Sequence, residues 1–456
     1  MLVAKLFGSS GVRGLANVDL TPQLTCEIGL AVAAYSKTKK AVVARDTRVS
    51  GRMLENALVS GLLSSGADVY LADIVPTPTL AYATRALRAD VGFMLTASHN
   101  PPQYNGIKVF NSDSLSYVDE DQDAVEKNVW ERTFRPADWR SLGKTIPVDA
   151  SQIYLKMALK TVELHKQWRV VVDPGCGATF KVAPAMLKAM GCKVTAINAQ
   201  PDGYFPARKS EPTAESLKDL ASIVKTLGAD AGVAFDGDGD RVAFVDEKGA
   251  FVSFDRSLAA YAAYALKQSD GGTVVTNVEA SMCVETMVKA QGGRVIRTRV
   301  GDIYISEAIK QSGAVFGGEP CGAWVHPKSH YCPDGPLSAA LMFKALEDEN
   351  KSLSELITEV PEYITLRENI ACKNEVKYNV VAKIGAALKT EFADYTDFST
   401  VDGIRLALKT GWLLVRASGT EPLIRLTVEG ASLAVANDIT EKATAVLESE
   451  VEAEVK

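Results

Sequence analysis

No run of this sequence approaches the roughly 18 uninterrupted apolar residues that a membrane-crossing helix needs, so no membrane partner is expected. An excess of basic charge is missing as well. Fifty Lys and Arg stand against 56 Asp and Glu, a formal charge of −6. That excludes a global positive field of the kind that recruits nucleic acid or anionic lipid. An anionic ligand must be captured by local arginines, lysines, backbone amides or a metal. The seven cysteines are odd in number and scattered, which suits reduced thiols and argues against a disulfide framework. The opening residues, Met1-Leu-Val-Ala-Lys5-Leu-Phe-Gly8, contain no long apolar segment and no cleavage site. A secretion signal is therefore not expected, and the cytoplasm is the default location.

What is present is ordinary globular composition, 47% hydrophobic and 23% charged over 456 residues. At roughly 150 residues per domain this predicts three domains, or four smaller ones, each with apolar material for a core. One pattern occurs three times: a β-rich apolar run, an amphipathic helix, a glycine, then a second β-rich run. The copies begin at Ala41-Val-Val-Ala-Arg45-Asp46, Val170-Val-Val-Asp173 and Thr273-Val-Val-Thr276, with glycines at Gly66, Gly191 and Gly292-Gly293. Strands alternating with helices in this way predict β-α-β units and parallel sheet. Each copy adds another helix and a strand that runs into an unusual loop: Thr96-Ala-Ser98-His99-Asn100-Pro101, Asp236-Gly-Asp238-Gly-Asp240-Arg241, and Gly317-Gly-Glu319-Pro-Cys321-Gly322. Ligands of open α/β sheets bind beyond the carboxyl ends of strands, so three related α/β domains facing a central cleft are predicted. After about residue 362 the pattern becomes a smaller α+β block. Its charged tail, Glu448 to Lys456, reads as a fraying helix end. The predicted domains are 1–147, 148–250, 251–361 and 362–456.

The loops differ in chemistry. Asp236, Asp238 and Asp240 alternate with glycines, so their carboxylates can converge on one hard cation. Glu247 stands where an EF-hand would need its twelfth residue, but Arg241 replaces that motif's required glycine and Val242-Ala-Phe-Val245 reads as strand. Three acidic ligands leave positions open for a phosphate oxygen, which suits Mg²⁺. Ser98 ends an apolar strand before Pro101-Pro102, so its hydroxyl is expected to be displayed in a loop, as a nucleophile or as a capping residue. His99 is the tempting base, although no G-x-S-x-G elbow is present. Lys108 follows the serine loop, and Arg13 lies in the glycine-rich Gly8-Ser-Ser-Gly11-Val-Arg13-Gly14. Arg416, Ser418, Gly419 and Thr420 combine a forked cation with small hydroxyl and amide donors, either a phosphate cradle or a plain hairpin connection. Cys321, His326, His330 and Cys332 raise a zinc site, but the lack of a C-x-x-C pair and the interruption by Pro327 favour loop thiols and ligand-contacting histidines instead.

Taken in order, the motifs around Arg13, Ser98, Asp236 to Arg241, Gly318-Glu319 and Arg416 to Pro422 resemble the α-D-phosphohexomutase family across nearly the whole chain. The resemblance implies four domains around a central cleft and an isomerase that interconverts hexose 6-phosphate and hexose 1-phosphate. It implies that Ser98 is carried as phosphoserine, and that a hexose 1,6-bisphosphate forms as intermediate and serves as activator. Mg²⁺ would be held by Asp236, Asp238, Asp240 and the phosphorylated Ser98. Lys108, Arg13 and His99 would stand near the reacting groups. Arg241 would face the substrate, Glu319 and Cys321 would hold the sugar, and Arg416, Ser418, Gly419 and Thr420 would bind the phosphate that is not reacting. Many members read G-E-x-S-G-H in the third loop, whereas here Cys321 and Ala323 replace the serine and the histidine, leaving His326 or His330 as substitutes. That loop and Val300-Gly301-Asp302 resemble archaeal-type phosphoglucosamine mutases, so glucosamine phosphate is the expected substrate. Phosphoglucomutase or phosphomannomutase activity is the close alternative, and a metal-dependent sugar phosphatase the distant one. The partner implied is a small phosphosugar, and a homodimer is left open.

Overall fold

The computed structural model describes residues 5–8, 10–419 and 421–455. Among them are four sheets. In the first, Lys40–Arg45 pairs in parallel with both Asp68–Ile74 and Val91–Leu95. In the second, Arg169–Asp173 lies between Lys193–Ala196 and Ala231–Phe235. In the third, Thr273–Asn277 lies between Arg294–Thr298 and Phe316–Gly318. The first strand of each copy is thus the centre of three parallel strands, with one spatial order throughout, and the threefold sequence pattern is a threefold structural repeat.

The parallel expectation stops at the third strand of each copy. A return strand then pairs antiparallel with it: Tyr104–Asn111, Val242–Asp246 and Trp324–Val325. The reason is length, since a parallel strand needs a crossover of about a dozen residues or more, and only the short carboxylate loop joins Phe235 to Val242. Each chemical loop is therefore a tight connection at one end of a sheet, pinned on both sides by paired strands.

The fourth sheet is wholly antiparallel, in the order Ile364–Ala371, Leu423–Gly430, Gly411–Ala417, Ile404–Ala407, Asp397–Ser399. The closing helix Leu433–Val455 covers it with Ile439, Ala443 and Leu447. This helix runs through the charged tail to Val455, so the tail is a helix end as expected. Lys383 pairs with Glu454 and ties the last turn down.

The fourth unit and one layer of the first have cores of their own, a second layer of the first takes in Ala150 and Cys332, and the second and third units share one apolar cluster running from Tyr154 to Val360. Trp168 and Phe343 meet within it at 5.4 Å between centroids. The third and fourth units meet through Val278, Trp412 and Leu414, where the buried Glu429 Oε1 accepts from both Met282 N and Trp412 Nε1 at 2.8 Å. Among the described residues, no helix is long and apolar enough to cross a membrane.

Candidate functional site

Ser98 follows strand Val91–Leu95 in a left-handed conformation, φ 52°, which costs a non-glycine residue about 1–2 kcal/mol. Neighbouring groups hold it there. Ser98 N donates to Thr96 Oγ1 (2.8 Å), and that hydroxyl donates to Asp46 Oδ2 (2.7 Å). Arg48, wholly buried, donates to Asp46 Oδ2 and to the carbonyls of Ser98, Asn100, Pro101 and Tyr104 at 2.6–3.0 Å. Ser210 Oγ reaches from the second unit to His99 O at 2.6 Å. The serine is not displayed as expected but is 1% exposed, because the carboxylate loop packs over it. A Cβ at Gly237 would stand 2.5 Å from Ser98 O, so only glycine permits that approach.

The carboxylate loop converges: one oxygen from each of Asp236, Asp238 and Asp240 lies within 4.8 Å of the others. Asp236 Oδ2 accepts from Ser98 Oγ at 2.7 Å, while its Oδ1 accepts from the amides of Gly239 and Arg241. Lys108 Nζ donates to Asp238 Oδ2 at 2.8 Å and to Asp240 Oδ2. Thr77 Oγ1 also donates to Asp238 Oδ2. Asp238 Oδ1 and Asp240 Oδ1 are buried without a hydrogen-bond partner. Two orphaned carboxylate oxygens beside a third carboxylate are a donor set that fits a divalent oxygen-seeking cation. Burial and the charges of Asp240 and Asp238 push Asp236 well above the usual carboxylate range. Burial works against Asp238 too, but the Lys108 ammonium outweighs it and holds that carboxyl low. The same pairing raises Lys108 despite its burial. The strand Val242–Asp246 follows at once, which bears out the rejection of an EF-hand.

His99 Nδ1 is 3.3 Å from Ser98 Oγ, and burial followed by the charge of Arg241 lowers the imidazole to about 3. Arg13 Nη1 donates to Asn100 Oδ1 at 3.0 Å. Arg241 joins the carboxylate loop to the third loop through a bridge to Ala323, next to Val242 N donating to Gly322 O at 3.0 Å. Gly322 has φ +88° there, and a Cβ would meet Val242 O at 2.2 Å. The Arg241 guanidinium stands 3.5 Å from Glu211. Glu319 Oε1 accepts from Asn277 Nδ2 and Gly301 N, both at 2.8 Å. Burial pushes the Cys321 thiol up to about 12. Asp302, the residue after Gly301, is close enough to Lys108 and Arg13 for their charges to bear on its carboxyl.

Zinc finds no place among Cys321, His326, His330 and Cys332. His326 Nε2 pairs with Ser338 Oγ and His330 Nε2 with Asp334 Oδ2, both at 2.8 Å. Both imidazoles are buried among core side chains such as Tyr261, Phe316 and Tyr82. They are committed as core hydrogen bonders, so neither replaces the missing third-loop histidine. The carboxylate triad is the one metal-capable cluster of three or more such side chains among the described residues.

Arg416, Ser418 and Gly419 lie where strand Gly411–Ala417 turns into Leu423–Gly430, so this segment is a hairpin connection whatever else it does. Ser418 N donates to Leu423 O and Glu421 N donates to Ser418 Oγ. Arg416 is held by Asp402 at 2.9 Å and by Glu279 of the third unit. Open space surrounds Gly419. Thr420 lies outside the described residues, as does Ser9 of the glycine-rich loop. The structure thus gathers Arg13, Ser98, His99, Lys108, Asp236, Asp238, Asp240 and Arg241, and bridges them to the loop of Glu319 and Cys321. The Arg416 segment stands at the edge of the third unit.

Sequence reasoning missed Arg48, Thr77 and the equivalent clamp of the second unit. There Arg208 donates to Asp173 Oδ2 (2.8 Å) and to Phe235 O (2.7 Å), bracing the carboxylate loop. The available signal was an aspartate at the end of a short apolar run, Asp46 just past strand Lys40–Arg45 and Asp173 closing Arg169–Asp173.

Comparison with known proteins adds the family. Segments 4–136, 152–249 and 253–363 match the models of phosphoglucomutase/phosphomannomutase α/β/α domains I, II and III, and 368–446 matches that of the C-terminal domain. A protein of Methanothermobacter thermautotrophicus named probable phosphoglucosamine mutase is 42% identical over 98% of both chains. One of the same name from Methanococcoides burtonii is 44% identical over 93% of this chain and 95% of its own. A crystal structure of a phosphoglucomutase/phosphomannomutase family protein from Burkholderia thailandensis superposes with TM-score 0.89 at 26% identity, covering 99% of this chain and 98% of that one. A structure of Aspergillus fumigatus N-acetylphosphoglucosamine mutase in complex with GlcNAc-6P and magnesium shares the fold at TM-score 0.60 and 14% identity, over 98% and 96% of the two chains. With its threefold α/β repeat, its converging serine and carboxylate loops and relatives matched end to end, this chain belongs to the phosphoglucomutase/phosphomannomutase family of α-D-phosphohexomutases.

Proposed function

We propose that Ser98 is the phosphoryl carrier of this phosphohexomutase and that glucosamine phosphate is its substrate. The observation that carries the first part is the 2.7 Å hydrogen bond from Ser98 Oγ to Asp236, inside a carboxylate triad with two orphaned oxygens. Phosphoryl transfer calls on the protein mainly for positioning and charge neutralisation, and this loop is positioned by Arg48 and Thr96. A Mg²⁺ held by Asp236, Asp238, Asp240 and the phosphorylated Ser98 would supply charge neutralisation that makes the phosphorus a better electrophile. In the first transfer the bond between phosphorus and Ser98 Oγ breaks as a sugar hydroxyl oxygen bonds to phosphorus. The proton of that hydroxyl is passed on to the departing Ser98 oxygen, which becomes the serine hydroxyl; His99, its imidazole lowered to about 3, stands beside that oxygen as a neutral hydrogen-bond partner. The resulting hexose 1,6-bisphosphate turns round and returns its other phosphoryl group to Ser98. Lys108 and Arg13 stabilise charge near the transferring group, Arg241 faces the sugar, and Glu319 with Cys321 orients it. Arg416, Ser418, Gly419 and Thr420 hold the idle phosphate, which requires Arg416 to exchange Glu279 and Asp402 for phosphate oxygens.

The substrate assignment is supported by the third loop and by the two archaeal relatives named probable phosphoglucosamine mutase. It is tested by ³¹P NMR of the protein with Mg²⁺, a trace of hexose bisphosphate, and glucosamine, glucose or mannose 6-phosphate in parallel. Fastest conversion of glucosamine 6-phosphate to its 1-phosphate is expected. Faster conversion of glucose or mannose phosphate refutes the specificity. Release of inorganic phosphate in step with substrate loss replaces the mutase with a phosphatase. Ser98→Ala is expected to abolish turnover, and mutase activity near the parent's would refute the carrier role.

A further inference from the structure

A second concentration of positive charge lies at the joint between the third and fourth units, away from the serine loop. Arg405, on strand Ile404–Ala407, is 3% exposed, with its guanidinium 4.9 Å from the centroid of Trp412. Its Nε and Nη2 are buried and have no hydrogen-bond partner among the described residues. Arg297, on strand Arg294–Thr298 of the third unit, donates to Glu285 Oε1 at 3.1 Å and to the carbonyls of Asn277 and Ala280 at 2.9 Å. Its Nη2 is orphaned as well. Two buried guanidinium groups thus have three nitrogens without an acceptor, and the nearby Glu285 is already spent on Arg297. Burial, followed by the charge of Arg297, pushes Arg405 down to about 9. A charged donor left unsatisfied in the interior is costly, and native structures rarely keep one without a reason.

Arg405 forms part of the wall of a cleft of about 540 Å³ that also involves Glu285, Lys289, Thr396, Lys409 and Trp412. Lys289 comes from the third unit, Lys409 from the fourth, and both are exposed at the rim. We propose that this cleft is an anion site distinct from the catalytic one, taking a phosphate dianion, free or as the end of a small phosphomonoester, on Arg405 with Lys289 and Lys409 closing over it. The chemistry fits, because a planar guanidinium matches two phosphate oxygens and the lysines act as point charges at the mouth. Asp397 and Glu285 in the same wall disfavour a larger polyanion. The cleft has more room than a bare phosphate requires, which leaves space for a small organic group. A ligand there touches both units, so its binding couples to how the fourth unit sits on the third.

The test is equilibrium dialysis with radiolabelled inorganic phosphate in chelator at constant ionic strength, on protein carrying Arg416→Gln so that the phosphate loop of the catalytic cleft is silent. The expected result is that adding Arg405→Gln removes one bound phosphate per chain. Lys289→Ala and Lys409→Ala, at exposed positions that leave folding intact, should each weaken that site by roughly two- to fivefold. Trp412 emission should change saturably over the same phosphate range. Unlabelled glycerol 3-phosphate displacing the label more strongly than unlabelled phosphate identifies a phosphomonoester as the ligand, and weaker displacement identifies free phosphate. Stoichiometry unaffected by Arg405→Gln, together with affinity unaffected by both lysine substitutions, overturns the site. Absence of saturable binding in the Arg416→Gln protein overturns it equally.

Discussion

Lys108→Met isolates the electrostatics of the cleft floor. The lysine lies on strand Tyr104–Asn111 of the first unit, yet its ammonium is hydrogen-bonded to Asp238 and Asp240 of the second, and all three side chains are buried. Methionine keeps most of the stem and removes the charge, so packing changes little and two buried carboxylates lose their cation. Breaking a buried pair from one side costs about 3–5 kcal/mol, and that loss is expected in chelator, read as the shift in urea unfolding free energy. Mg²⁺ should then restore part of it. A ligand of the native state at 100 times its dissociation constant adds about 2.7 kcal/mol. The increment should be larger in the variant than in the parent, where the ammonium repels the incoming cation. Two results refute the reasoning: stability in chelator within about 1 kcal/mol of the parent, or an equal Mg²⁺ increment in both proteins. The first would mean that the carboxylates are solvated or protonated without Lys108, the second that the cation binds elsewhere.

Arg48→Gln should lower kcat by about a hundredfold with KM changed far less, because Arg48 holds the carbonyls of the loop that positions Ser98 and the Asp46 carboxylate beside it, and a displacement of about 1 Å at a reacting group costs that much. Arg48→Lys, with a single point charge in place of the fork, should recover only a fraction, and a KM effect with unchanged kcat in steady-state assays would show that Arg48 does not position the serine. Asp255 tests a pH effect outside the carboxylate triad: burial raises it to about 6 from an ordinary value of 3.8, although its Oδ1 accepts from Ser281 N. Between those pH values the folded chain binds more protons than the unfolded chain, so stability falls as pH rises through the window, by up to about 3 kcal/mol. Asp255→Asn keeps the acceptor and removes the titration, so its unfolding free energy should gain on the parent's from pH 4 to pH 7, and parallel pH profiles would refute the shift.

Much of the site was legible in the sequence because its chemistry is local. The spacing of Asp236, Asp238 and Asp240 with glycines between them sets which carboxylates can converge, and the apolar run before Ser98 places that serine at a strand end. The threefold repeat was readable for the same reason, since hydrophobic period and glycine position are short-range properties. What the chain could not disclose were pairings between distant segments. The antiparallel return strands, the 50-residue reach from Arg48 to the serine loop, and the closure of Lys108 on the carboxylates of another unit all depend on which sheet edges meet. His326 and His330 read in one dimension as ligand-contacting histidines and proved to be core hydrogen bonders, because the fold set Ser338 and Asp334 against them. Residue type and spacing determine what a loop can bind. Burial and long-range partners determine the charge state and orientation in which it is presented, and those arise only when separate strands are packed into one interior.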